Sequence, residues 1–178
     1  MWIVPGANPG QLCEKKVFNP EGVELSSASQ MSTFTQVLYH IVFATKDRQR
    51  VLRPERRQEM YKYIWGVIRN KDCHLYRIGG VEDHVHILTS LHPSVSLAEL
   101  VKAIKVSTSL WVKENKMFSE FDGWQDGYGA FTHCFQERDA IVKYIKNQEE
   151  HHRVRTFKEE LAELLKQAGV AFEERYLE

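Results

Sequence analysis

The chain has 178 residues, 43% hydrophobic and 27% charged, with 24 Lys and Arg balancing 24 Asp and Glu. That composition suits a globular domain with a real core and excludes wholesale disorder or collagen-like structure. Zero formal net charge means that any footprint for an anionic partner must be local, and no apolar run is long enough for a transmembrane helix.

Residues 1–30 hold three of the five prolines and no sustained periodicity, so they read as a flexible N-terminal extension of a domain spanning 31–178. Met31 stands just before the first strong strand signal. Pro5, Gly6, Pro9 and Gly10 interrupt any signal-peptide core, and Cys13, Cys73 and Cys134 are isolated. Reduced thiols in a cytoplasmic protein are the expectation.

Residues 34–44, FTQVLYHIVFA, are short, β-branched and aromatic, which predicts a strand. Pro54 then opens a helix in which Met60, Tyr61, Ile64, Trp65 and Ile68 recur at helical spacing as far as Asn70. Two strand-like runs, 74–78 and 84–91, flank Gly79 and Gly80 and predict a hairpin turning at the glycines. Ser96 and Glu99 form a capping-box pattern ahead of a helix with Leu97, Leu100, Val101, Ile104 and Trp111 on one face. A Gly- and aromatic-rich loop, 115–129, leads to a strand over 130–135 and a helix over 137–150. Thr156 and Glu159 cap a last helix that stops near Gly169. The order β-α-β-β-α-β predicts an α+β, ferredoxin-like antiparallel four-stranded sheet with helices on one face and additional C-terminal helices.

Within Asp83-His84-Val85-His86-Ile87-Leu88, strand alternation sends both imidazoles to one face, a geometry that suits a metal ion. Taken alone, a His-apolar-His triplet is a weak signal. Tyr144 and Gln148 lie one helical turn apart, so a phenol and a carboxamide share one surface. A tyrosine can attack phosphorus, and an amide oxygen can complete a hard-metal set begun by imidazoles. The alternative is that Tyr144 packs with Ile141 and Ile145 while Gln148 is solvated. Lys143, Lys146, His151 and His152 are candidate proton acceptors for the phenol, and the two histidines are equally helix C-terminal cations.

Several ordered motifs together resemble the single-tyrosine HUH transposases of small insertion sequences, the insertion-sequence-200 type, with REP-associated tyrosine transposases among its relatives. They are residues 39–48 (YHIVFATKDR), 83–88 (DHVHIL), Leu91-His92-Pro93, Ile104-Lys105, 124–131 (WQDGYGAF), and Tyr144-Ile145-Lys146-Asn147-Gln148 followed by His151-His152. Residues 1–30 have no counterpart, and Thr132-His133-Cys134 stands where a serine is more usual. The resemblance implies His84, His86 and Gln148 as ligands of Mg²⁺ or Mn²⁺, and Tyr144 as a nucleophile forming a 5′-phosphotyrosine. It also implies single-stranded DNA hairpins as substrate and a homodimer as functional unit, with the tyrosine helix of one subunit completing its partner's site. Other readings are a domesticated relative that processes repeated palindromes, a replication initiator with the same chemistry, or a non-catalytic nucleic-acid-binding module.

Between Lys46 and Arg77 ten basic residues face four acids, a net of +6. Lys46, Arg48, Arg50 and Arg53 are therefore candidate DNA contacts, and Lys105 of the Ile104-Lys105 motif is a further one. Trp124, Tyr128 and Phe131 are candidates for stacking on bases, with anchoring of the loop to the core as the alternative.

Overall fold

The computed structural model describes residues 34–173, together with a short antiparallel pairing of Val17–Phe18 with Glu24–Leu25. The expected flexible extension over residues 1–30 otherwise lies outside the described residues. The chain divides into units 1–34 and 35–178, and the second contains every element that follows.

Strand β1 (Leu38–Ala44) is followed by helix α1 (Pro54–Arg69), β2 (His74–Gly80), β3 (His84–Ser90), α2 (Leu97–Glu114) and β4 (Gly129–His133). The sheet order is β2-β3-β1-β4 with every neighbouring pair antiparallel, the ferredoxin-like arrangement. After β4 come α3 (Arg138–Lys146), a short α4 (Gln148–His151) and α5 (Phe157–Gln167).

Alternation along β1 and β3 decides which side chains meet which helices. Ile41, Phe43, Val85 and Ile87 face α1 and α2 and join Met60, Ile64, Ile68, Leu100 and Ile104 in the main core. Ile104 is fully buried there. We expect Ile104→Ala to cost about 2–5 kcal/mol, since the lost methylenes leave a cavity that rigid neighbours cannot fill. Urea denaturation checks this, and a cost under about 1 kcal/mol would mean that the site collapses around the smaller side chain.

Helices on a single face were expected, but the opposite face is covered too. Leu38, Leu88 and Ile145 pack together there beside α3, and Val42, Ala44, Phe131 and Phe157 pack beside α5. Central β1 is thus buried on both sides, which explains why its sequence is nearly continuously apolar.

Local boundaries also differ from the sequence pattern. Residues 34–37 lie outside β1, whose first paired residue is Leu38, and Phe34 is exposed. Gly79 and Gly80 belong to β2, and the turn falls at residues 81–83. Gly79 pairs with His86 and faces α3, where an added Cβ would lie 2.5 Å from the Ile145 backbone oxygen. The glycine therefore serves helix-to-sheet contact and not a turn. The helix expected over 137–150 breaks at Asn147 (φ −95°, ψ 17°), whose N–H is shared between the carbonyls of Lys143 and Tyr144. Cys73 and Cys134 are free thiols, and among the described residues no helix is long and apolar enough to cross a membrane.

Candidate metal and nucleophile site

His84 and His86 on β3 are fully buried, pair with Ala44 and Val42 of β1, and face away from the α1/α2 core. Their ring centroids are 5.0 Å apart. Neighbours fix how each ring is turned. Asp83 Oδ1 lies 2.6 Å from His84 Nδ1, so that nitrogen carries the proton and Nε2 faces the site. His86 Nδ1 lies 2.9 Å from Nε2 of His40, which is itself buried and stacks on His86.

Helix α3 lies on the same face of the sheet because Gly79 leaves room for Ile145. This sets the Tyr144 ring 5.9 Å from His86 and 6.0 Å from His40, between centroids. The Tyr144 hydroxyl donates to Glu160 Oε1, and Gln148 Nε2 donates to the same oxygen at 2.8 Å. We expect Gly79→Ala to push α3 away from the sheet and destabilise the fold by about 1–3 kcal/mol, because the added Cβ meets the Ile145 backbone. Wild-type stability in urea denaturation would contradict that reading.

Glu160 reaches the site from α5, whose start is fixed by a reciprocal capping box between Thr156 and Glu159. Phe157 stacks on His84 at 4.4 Å, which seats the first turn of the helix. Glu160 Oε2 then lies 3.4 Å from Nε2 of both His84 and His86 and 2.9 Å from Nε2 of His152.

Burial alone would raise the Glu160 carboxyl, but hydrogen bonds and charge from His152, His84 and His86 outweigh it and hold the group well below the usual carboxylate range. Burial lowers His86 to about 4, partly opposed by Glu160. For His84 the same burial is outweighed by contacts with Asp83 and Glu160, so its pKa rises. Burial, then the Glu160 charge and hydrogen bond, push the Tyr144 phenol well above its ordinary value near 10.

Among the described residues, the buried polar atoms without a hydrogen-bond partner include His84 Nε2, His86 Nε2 and Gln148 Oε1. They belong to the three residues that the resemblance makes ligands. Imidazole nitrogens gathered around one carboxylate form a donor set suited to a divalent cation, and His84, His86, His152 and Glu160 each offer an atom within 4.8 Å of the others.

Glu160 and His40 escaped the sequence analysis. Each had a signal: Glu160 shares the apolar face of α5 with Phe157, Leu161 and Leu164, and His40 shares a face with Leu38 and Val42 in a buried strand. His152 had been read only as a base or a helix-end cation. His151 lies 5.1 Å from the Tyr144 ring, whereas Lys143 and Lys146 lie on the exposed side of α3.

The candidate DNA contacts have mixed placements. Lys46 pairs with Asp122, Arg50 with Glu82 at 3.1 Å, and the Arg48 guanidinium lies 5.2 Å from the Phe157 ring centre. Arg53 is exposed at the start of α1. Lys105 is committed to the 125–127 loop, donating to the carbonyls of Gln125 and Gly127. Trp124 is 9% exposed and packs edge-on against Phe43 and Phe121, so a base has no access to stack on it. Phe131 is buried as well, while Tyr128 is exposed.

Residues 33–148 match the sequence profile described as "Transposase IS200 like". The ISDra2 transposase TnpA of Deinococcus radiodurans is 25% identical over 118 residues, 64% of this chain and 84% of its own. The transposase for insertion sequence element IS200 of Salmonella typhimurium is 26% identical over 121 residues, 65% and 79% of the two chains. A REP-associated tyrosine transposase, solved bound to a REP hairpin, shares the fold at a TM-score of 0.50 with 16% identity, covering 68% of this chain and 74% of that one. With that profile matched from just before β1 to Gln148 in the site, the chain belongs to the IS200-like transposase family, whose members process DNA.

Proposed function

We propose that the protein cleaves and rejoins single-stranded DNA at insertion-sequence ends, in the cytoplasm, by transesterification through Tyr144. The observation that carries this reading is the shared Glu160 carboxylate: the Tyr144 phenol and the Gln148 amide donate to one oxygen, and the His84 and His86 Nε2 atoms face the other. His84, His86 and Gln148 would hold Mg²⁺ or Mn²⁺. When bound, the ion polarises a non-bridging oxygen of the scissile phosphate and spreads the charge that develops during displacement.

Tyr144 Oη attacks phosphorus, the P–O3′ bond breaks, and a free 3′-OH and a 5′-phosphotyrosine result. One phosphodiester is exchanged for another, so a second 3′-OH can reverse the step and join strands without an external energy source. The hydrogen bond to Glu160 Oε1 sets the direction in which the phenolic proton leaves. Asp83 and His40 keep the two imidazoles turned towards the site.

Single-stranded DNA hairpins are the proposed substrate, supported by the hairpin bound to the REP-associated relative. Arg53, Tyr128 and the half-committed Lys46, Arg48 and Arg50 are the proposed contacts. A homodimer is the proposed assembly, although the phenol already reaches the histidines of its own subunit. The test is to incubate labelled hairpin DNA with protein and Mn²⁺ and separate the products on a denaturing gel. A slow-migrating covalent adduct is expected; none at any metal concentration would refute the reading. Should chromosomal palindromes be cut and insertion-sequence ends be left intact, the domesticated-relative reading replaces it.

A further inference from the structure

Beyond Gln148, where the family match ends, the chain adds two potential metal-binding side chains to the same point. We propose that His152 and Glu160 join His84, His86 and Gln148 as direct ligands of the divalent ion, so that three imidazoles and one carboxylate make the centre prefer first-row transition ions to Mg²⁺. This inference rests on the two-histidine metal site proposed above.

His84 Nδ1 faces Asp83 Oδ1 at 2.6 Å, and His152 Nδ1 faces the Arg155 carbonyl oxygen at 3.0 Å. Both oxygens accept, so each ring is turned with Nδ1 towards its anchor and Nε2 towards the site. The two Nε2 atoms lie 3.4 Å and 2.9 Å from Glu160 Oε2, and His86 Nε2 lies 3.4 Å from it. Four potential ligand atoms thus converge on one buried point, where a single divalent cation can take a lone pair from each. Ligands about 2.1 Å from one ion lie roughly 3 Å from each other when adjacent, close to the separations around Oε2. Imidazole-rich sets favour Co²⁺, Zn²⁺ and their neighbours over Mg²⁺, which prefers oxygen and water.

The geometry of α5 serves this role. Its capping box and the Phe157–His84 stack place Glu160 one turn into the helix, facing the sheet. Glu160 Oε1 meanwhile holds the Tyr144 hydroxyl and the Gln148 amide, so one carboxylate would tie the metal to the nucleophile.

Calorimetric titration of the full chain with CoCl₂, followed by competition with MgCl₂, provides the test. One Co²⁺ site per chain is expected, with Mg²⁺ displacing it only at about 100-fold or greater excess. Glu160→Gln and His152→Ala should each weaken Co²⁺ binding at least about 10-fold, with folding checked by circular dichroism, and Glu160→Asp should recover part of the loss. Pulsed electron paramagnetic resonance of the Mn²⁺ form should count three coordinated imidazoles, falling to two in His152→Ala. Equal or tighter Co²⁺ binding by Glu160→Gln would overturn the proposal, because the carboxylate would then be a competitor for the site. If His84→Ala loses Co²⁺ while both the Glu160 and His152 variants keep it, only this extension fails. If His84→Ala and His86→Ala bind Co²⁺ like the wild type, the underlying two-histidine reading fails with it.

Discussion

Tyr144→Phe is expected to eliminate the covalent protein–DNA adduct, with strand cleavage falling by about 10⁴-fold or more, the scale on which loss of a nucleophile acts. The substitution deletes one oxygen and leaves the ring that packs near His86, His40 and His151. What disappears is the hydrogen bond to Glu160, whose loss costs about 1–3 kcal/mol, so the fold should persist. Hairpin affinity should stay within roughly twofold, because phosphate contacts dominate binding and the phenol supplies none of the positive charge. A denaturing gel and a native mobility shift on the same samples separate the two effects. An adduct of wild-type intensity from the phenylalanine variant would remove Tyr144 from the chemistry.

His84→Ala or His86→Ala should reduce cleavage by about 10³-fold or more, while hairpin binding largely survives. Each deletes one of the two Nε2 atoms that face the Glu160 carboxylate. Asp83→Asn provides the graded control. It keeps both imidazoles but weakens the contact that turns His84 Nε2 inward, and the expected loss is about 10- to 100-fold, the usual cost of a displaced orienting group. Single-turnover cleavage across a Mn²⁺ titration measures all three. The alanine variants should not be rescued by excess ion, whereas the asparagine variant should recover partly. Wild-type rates in either alanine variant would leave the imidazole pair with a purely structural role.

Much of the fold was legible because its signals are local. Pro54 at the start of α1, the Ser96 cap of α2 and the Thr156–Glu159 box of α5 all lie where the pattern put them. The period-two placement of His84 and His86 on one face also follows directly from β3. Less legible was anything set by an approach between distant segments. Gly79 and Gly80 read as a turn because glycine permits turns, but Gly79 is needed where Ile145 of α3 presses on the sheet. Trp124 read as a nucleic-acid contact because aromatic residues in loops often are, but it is packed against Phe43 and Phe121.

The same holds within the site. Tyr144 and Gln148 could be paired from spacing, yet the meeting point of their side chains is a carboxylate in another helix. A glutamate in a first helical turn ordinarily answers the helix dipole. Only its position on the apolar stripe of α5, beside Phe157 and Leu161, distinguished Glu160 from its exposed neighbour Glu159. That stripe packs on a sheet face expected to be open, so the meaning of a charged residue within it depended on the tertiary fold.

The most direct measurement is peptide mapping of the trapped protein–DNA complex. After the hairpin reaction, the complex is digested with nuclease and protease and sequenced by mass spectrometry. A peptide spanning Tyr144 that carries a 5′-linked nucleotide phosphate is the predicted result. Attachment at any other side chain, or a 3′-linked phosphate, would contradict the account.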